Sequence, residues 1–369
     1  MLIARAPVRI SLAGGGTDLA AYYERYGGMV ISAAIAKYFY AVVEVTSRPG
    51  LQISSSDYHA FFRNPPGRPI EWDGDLSLPR AIVHHFGVTD GIEMFLASEV
   101  PPGTGLGSSS SVAVTISKAL ATLLRLPASK QMIAETACHI EIEKLAKPIG
   151  KQDQYAAAFG GLNAITFTRD QTIVEPLALS DYTRRTLEHS LLLFFTGASH
   201  NSATILREQT HSTRQQGGAV VDALHDIKRL AERTRAALES DHPERLGEFL
   251  HENWERKKRL ASGISNRAID DAYESARAHG ALGGKITGAG GGGFLMLYCP
   301  PARHEAVTTA LEERGLIRMD FHVDSAGARV LINSGAQLDT EISAPLPAAP
   351  MPAMPAMPAM PALPGRATA

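Results

Sequence analysis

The chain has 369 residues, 44% hydrophobic and 20% charged, with a formal net charge of -2 at pH 7, an ordinary globular composition sufficient for two packed domains or one large one. Acidic and basic residues are interspersed without a polybasic run, which excludes the usual footing for a nucleic acid or an anionic membrane. Two distant cysteines, Cys138 and Cys299, exclude a disulfide framework, and neither a signal peptide nor a membrane-spanning apolar run is visible, so a cytoplasmic protein is expected.

Residues 3–12 read as a strand that runs into Gly14-Gly15-Gly16-Thr17-Asp18; a helix follows through Tyr26 and stops at Gly27-Gly28. Residues 29–46, rich in β-branched and aromatic side chains, predict one or two strands, and residues 50–75 predict loops with a short strand. A further strand at 92–100 leads into Pro101-Pro102-Gly103-Thr104-Gly105-Leu106-Gly107-Ser108-Ser109-Ser110-Ser111. The apolar spacing of 112–124 predicts a buried helix, and a second is expected over 130–145. Pro148-Ile149-Gly150 interrupts it before helix resumes at 152–159, and strands are expected at 162–168 and 172–177.

The second half opens on an apolar strand at 191–196, and residues 202–279 carry helical periodicity, with Val221, Leu224, Ile227 and Leu230 on one buried face. Lys285-Ile286-Thr287, a glycine cluster from Gly288 to Gly293 and a strand at 294–298 follow. A helix near 303–314 and a strand near 319–324 close the globular part. From about Ala344 to the end at 369 a Met-Pro-Ala repeat takes over; its prolines oppose helix and sheet, and disorder is expected there.

Gly103, Gly105 and Gly107 alternate between a strand and a helix. Glycine lets the backbone approach a ligand closely and take positive φ. The free N–H groups and positive dipole end of the helix beginning near Ser108 point back into the loop. Together these suit the phosphates of a nucleotide. A tight strand–helix turn would use the same glycines, although four serines exceed what one N-cap requires. The loop lacks the Gly-Lys-Ser/Thr ending of a Walker A motif, and Ser108 stands where the dinucleotide fingerprint needs glycine. The second cluster, Gly288 to Gly293, weakens the strand that follows it, which points to close approach by another backbone or to a flexible surface loop.

Three segments together resemble the GHMP kinases, which include galactokinase, homoserine kinase, mevalonate kinase and phosphomevalonate kinase. Residues 6–18 (Ala-Pro-Val-Arg-Ile-Ser-Leu-Ala-Gly-Gly-Gly-Thr-Asp) are similar to the first motif of that family, 101–111 to its ATP-binding second motif and 285–293 to its third. The order also fits, and the resemblance covers about residues 1–335. It implies a small-molecule kinase that uses ATP and Mg2+. The implied fold is a two-domain α/β (α+β) GHMP kinase fold, with a ribosomal-protein-S5-like N-terminal domain over 1–180 and a ferredoxin-like α/β C-terminal domain over 181–335. Gly15-Gly16-Thr17-Asp18 departs from the Glu-His-Thr-Asp of galactokinase, and the Gly-Lys-Gln-Asp-Gln segment at 150–154 is distinctive. Both are similar to the branch that phosphorylates the anomeric oxygen of D-glycero-α-D-manno-heptose 7-phosphate, on the route to GDP-heptose. The implied partner is thus a small-molecule sugar or sugar phosphate. An L-fucose- or galactose-like sugar-1-kinase and a nucleotide-binding regulator without catalysis stand as alternatives; retention of Arg9, Ser109, Glu141 and Asp153 opposes the regulator. Monomer and homodimer both remain open.

By the same resemblance Asp153 is the base and Arg9 the cation beside it. Pro102, Gly103, Thr104, Gly105, Leu106, Gly107, Ser108, Ser109 and Ser110 bind ATP together with Gly288, Gly290 and Gly291. Ser109 and Glu141 hold the metal, and Gly16, Thr17 and Asp18 contact the sugar; Gly197, in the loop that follows the apolar strand at 191–196, is a further sugar-binding candidate. Asp153 and Asp18 each also precede helical runs and can be read as helix caps. Glu143 is about 200° around a helix from Glu141, so only one of the two faces the site. A phosphate at the far end of the sugar needs a basic subsite, for which the loop at 196–201 and Arg207 are the candidates. Lys151 is near enough in sequence to join the field around Asp153. His84, His85 and His139 show no metal-ligand spacing.

Overall fold

The structure is a computed structural model that describes residues 1–197, 202–215 and 218–338; positions 198–201 of the expected lining loop and the Met-Pro-Ala tail lie outside the described residues. The first half runs β1 (Leu2–Ala13), α1 (Ala20–Tyr26), β2 (Gly28–Val45), β3 (Leu51–Ser55), β4 (Ala60–Asn64), α2 (Ser77–His85), β5 (Ile92–Ser98), α3 (Ser108–Leu123), α4 (Lys130–Cys138), α5 (Gln152–Phe159), β6 (Leu162–Phe167) and β7 (Thr172–Pro176). The second runs α6 (Asp181–Ser190), β8 (Leu191–Phe195), α7 (Ser202–Arg214), α8 (Ala219–Glu239), α9 (Arg245–Lys257), α10 (Arg267–Ala278), β9 (Gly283–Ile286), β10 (Phe294–Tyr298), α11 (His304–Glu312), β11 (Ile317–Met319) and β12 (Arg329–Asn333).

Among the described residues two sheets organise these elements. One orders its strands β12-β1-β2-β5-β3-β4, with β6 and β7 branching from β2; the other is antiparallel, ordered β11-β8-β10-β9. The expected one or two strands over 29–46 are a single 18-residue strand. Its first part pairs with β6 and its last part with β5, while β1 lies along both. Between Pro7 and Val8 the pairing shifts register, with Ala36 and Lys37 of β2 as the extra residues that have no partner on β1. Leu2, Ala4 and Ala6 pack into the core under α3, whereas Val8, Ile10 and Leu12 enter a second core shared with β8, β10, α8 and α9. One strand thus passes from one half into the other.

The chain departs from expectation in five places. Residues 51–64 form a hairpin, β3–β4, where one short strand was expected. Helices α2 and α6 occupy segments that carried no helical reading. The last strand of the small sheet stops at Met319, and Val323 makes only an isolated bridge to Ile35. Residues 329–333, grouped with the second unit on sequence grounds, return to the first sheet as β12 beside β1.

Candidate active site

A cavity of about 430 Å³ opens between the halves, lined by β1, both glycine clusters, the start of α5, α7 and α9. Strand alternation places Arg9 and Ser11 on the same face of β1, and both are buried at its edge. Arg9 reaches Asp153 through Nε at 2.7 Å and Nη2 at 2.6 Å, both onto Oδ1. Its Nη1 donates to the Gly105 carbonyl at 2.6 Å, tying the pair to the phosphate loop. Oδ2 of Asp153 has no hydrogen-bond partner among the described residues, and a Cβ at Gly107 would stand 3.0 Å from it, so glycine keeps that oxygen approachable. Asp153 sits in the first turn of α5, but its side chain makes no cap. Burial lifts its carboxyl above the ordinary range; Arg9 opposes this, and the nearby Asp18 adds to it. Lys151 turns away, its ammonium 5.1 Å from the Tyr23 ring centre.

The phosphate loop enters α3 through Gly107 in the left-handed region, φ 76°. Gly103, Gly105, Gly107, Ser108, Ser109 and Ser110 line the cavity. Ser111 instead fastens α3 to β1, its hydroxyl donating to the Pro7 carbonyl at 2.8 Å. Thr104 and Leu106, expected at the nucleotide, have buried side chains, and Leu106 belongs to the second core. Pro102 is exposed and does not line the cavity. For the second glycine cluster, close approach of another backbone is the reading that holds. A Cβ at Gly288 would stand 2.5 Å from the Gly105 Cα, and one at Gly293 would stand 2.3 Å from the Thr104 carbonyl oxygen. The two glycine segments are backbone against backbone, and no side chain fits between them. Gly288, Gly290 and Gly292 line the cavity, whereas Gly291 does not.

Beside the loop, His139–Lys144 forms a π-helical turn that continues α4 and carries Glu141 into the interior. The Ser109 hydroxyl donates to Glu141 Oε1 at 2.8 Å, and Gln154 Nε2 donates to Oε2 at 2.8 Å. The Lys147 ammonium donates to both Ser109 Oγ, at 2.8 Å, and Glu141 Oε1, at 3.1 Å. A cation thus already bridges the two oxygens, and the same oxygens could hold a divalent ion. Glu143 points outward and bonds His139.

Asp18 is buried and lines the cavity beside the start of α5. Its Oδ1 accepts from the Gly16 N–H at 2.9 Å, and its Oδ2 accepts from the Gln152 N–H at 3.3 Å, so it faces the N-terminus of α5 rather than capping α1. Burial raises its pKa, and those N–H groups oppose the rise. Gly150 is required here, because a Cβ would stand 1.9 Å from Asp18 Oδ2. Thr17, grouped with the sugar ligands, is a correction: its hydroxyl bonds Gly14 and Met29 main chain inside the turn and does not reach the cavity. Gly197 also lies off the cavity, while Arg207 is exposed at its rim.

Several lining groups were not singled out from sequence. Gln209, Asn253, Lys257 and Lys285 are all buried and all face the cavity. Gln209 Nε2 and Asn253 Nδ2 have no hydrogen-bond partner among the described residues. Buried unpartnered donors are costly unless a ligand supplies acceptors. Lysine and asparagine in an amphipathic helix give no local signal of this burial. Only the joining of α9 to the glycine cluster produces it.

Comparison with known proteins agrees with this geometry. The model of the GHMP kinases N terminal domain matches residues 77–161, and that of the GHMP kinases C terminal matches residues 234–316. The chain is 31% identical over 334 residues to the D-glycero-alpha-D-manno-heptose 7-phosphate kinase of Campylobacter jejuni, covering 88% of this chain and 97% of that protein. It is 27% identical to the L-fucokinase/L-fucose-1-P guanylyltransferase of Bacteroides fragilis, over 79% of this chain but 34% of that longer protein. The crystal structure of a D-glycero-D-manno-heptose 1-phosphate kinase from Bacteroides thetaiotaomicron superposes with a TM-score of 0.76 at 31% identity, covering 90% of this chain and 99% of that one. With both family domains in chain order and a relative matched over nearly its whole length, this chain belongs to the GHMP kinases, as an ATP-dependent sugar kinase.

Proposed function

We propose that this kinase phosphorylates the anomeric hydroxyl of D-glycero-α-D-manno-heptose 7-phosphate and yields the 1,7-bisphosphate, on the route to GDP-heptose. The observation that carries the reading is the Arg9–Asp153 pair at the floor of a cleft between the phosphate loop and Asp18. In this reading Gly103 to Ser110, with Gly288 and Gly290, cradle the triphosphate of ATP, and Asp18 with the Gly16 backbone receives sugar hydroxyls. Asp153 Oδ2 accepts the proton of the anomeric hydroxyl as that oxygen bonds to the γ-phosphorus. The bond from that phosphorus to the β–γ bridging oxygen breaks, and its electron pair leaves on ADP. A carboxylate more basic than usual suits the proton transfer, and Arg9 steadies the charge that develops.

The oxygens around Lys147 fit a magnesium ion, since a hydroxyl and a carboxylate oxygen already converge on one ammonium. Ser109 and Glu141 would hold the ion, which when bound neutralises charge on the β- and γ-phosphate oxygens. Gln154 fixes the second carboxylate oxygen of Glu141. For the sugar's own phosphate, the exposed Arg207 at the cavity rim is the available basic group. The names of the heptose kinases at 31% identity support the sugar, and the two buried, unpaired cysteines support a reducing cytoplasmic setting.

The test is a panel of sugars and sugar phosphates assayed with ATP, including the heptose 7-phosphate, the free heptose, L-fucose and galactose. Turnover concentrated on the heptose 7-phosphate is expected. Strong activity on L-fucose with none on the heptose phosphate would move the enzyme to the fucokinase branch, which the Bacteroides fragilis relative represents.

A further inference from the structure

Two buried lysines in the cleft take no part in the proton transfer or the magnesium site. Lys257 ends α9 and Lys285 lies on β9; they are 8% and 2% exposed, and both line the cavity. Lys257 donates to the carbonyls of Ile286 at 2.9 Å and Gly288 at 2.6 Å. Lys285 has no hydrogen-bond or ion-pair partner among the described residues, and its field comes from two other cations, Lys257 and Arg9. Asn253, one turn before Lys257 on the same helix face, adds an unpaired Nδ2. Burying ammonium groups without counter-charge is unfavourable. Desolvation first, then neighbouring cations, hold Lys257 down to about 7 and Lys285 well below its ordinary range.

Their place in the cleft is fixed by a chain of contacts. Lys257 binds the Gly288 carbonyl, Gly288 abuts Gly105, the Gly105 carbonyl receives Arg9, and Arg9 holds Asp153. The lysines therefore lie at the glycine segments near the proton-accepting carboxylate. The phosphate carried by a heptose 7-phosphate lies at the opposite end of that sugar from its anomeric hydroxyl.

We propose that Lys257 and Lys285 bind the oxygens of the nucleotide's terminal phosphate from the C-terminal half, opposite Arg9, so that the phosphoryl group in transfer is gripped from both halves. The lysines form no covalent bond and take no proton from the sugar; they supply charge-assisted hydrogen bonds to non-bridging oxygens. The assignment rests on the kinase activity and not on which sugar is accepted. Two buried lysines with no carboxylate partner among the described residues, beside the Arg9–Asp153 pair, then form a preorganised site that the triphosphate completes.

The test uses the full chain with magnesium and no sugar, and measures affinity for a non-hydrolysable ATP analogue and for ADP. Lys285→Met is the primary variant, because Lys285 has no hydrogen bond to lose on folding. Loss of a charge-assisted contact is expected to weaken the analogue by about tenfold or more, with a much smaller effect on ADP. Lys285→Arg is expected to recover part of the loss, and the ligand-free melting temperature of Lys285→Met is expected to hold or rise. Equal weakening of both nucleotides would mean a distorted loop and would overturn the proposal, as would an unchanged preference for the analogue. A third arm measures affinity for the sugar phosphate alone. Loss there with nucleotide binding intact would assign the lysines to the sugar's own phosphate and likewise overturn the proposal. Lys257→Met also loses two carbonyl bonds, so its analogue-to-ADP ratio serves as a second reading.

Discussion

Asp153 is held between burial, which favours its neutral form, and Arg9, which favours its charge. Both Arg9 nitrogens converge on Oδ1, so the cation can restrain the carboxylate without covering Oδ2. Replacing the acid by its amide keeps the shape and removes the base. Asp153→Asn should lower kcat by about 10²–10⁴-fold while leaving nucleotide affinity nearly unchanged; near-normal turnover would end the assignment. Arg9→Gln removes the main influence that holds the carboxyl down, so its pKa should rise further. The acid limb of kcat/KM against pH should then move to higher pH in the residual activity. A limb that stays in place would belong to another group.

At the scale of elements, the two glycine segments behave as one part. Gly288 has φ 65° and would drive a Cβ into the Gly105 Cα, whereas Gly315, with φ 81°, has open space around it. Gly288→Ala should therefore cost the left-handed backbone penalty of about 1–2 kcal/mol and also part the loops, raising KM for ATP. Gly315→Ala should lower the melting temperature alone, leaving KM for ATP unchanged; equal KM effects would show that loop contact does not set nucleotide binding. The glycines and the four serines were legible because propensity cannot explain them. The helices at 108–123 and 219–239 were legible from their apolar spacing. Other elements gave weaker signals. Helix α2 carries Pro79 in its first turn, and α6 buries only Thr183, Leu187 and Ser190 among polar neighbours. Strand β12 is largely exposed, and it exists because β1 offers it an edge. The π-helical turn that carries Glu141 inward, and the inward aim of Lys147, Lys257 and Lys285, depend on tertiary packing that no local pattern encodes.

At the scale of the molecule, the halves are interlocked, since β1 passes between their cores and β12 returns to it. That construction holds Arg9, Lys257 and Lys285 together before any anion arrives, and stability should record the effect. Lys257 titrates near 7 in the folded protein, against 10.5 for an unperturbed lysine. Below pH 7 the ammonium is charged in both states, and the penalty of burying it is complete. Above about pH 7 the folded protein releases the proton while the unfolded chain keeps it up to about 10.5, so the unfolded state binds more protons and stability rises with pH. The gain approaches about 1.4 kcal/mol per pH unit at most. Urea unfolding at pH 7, 8 and 9 should show wild type gaining on Lys257→Met across that interval, the subtraction removing groups that Lys257 does not influence. A non-hydrolysable ATP analogue at saturation should return the charge to Lys257 and flatten the difference. A flat difference without the analogue would mean that Lys257 stays protonated, with water or an unseen acceptor compensating it in the ligand-free cleft.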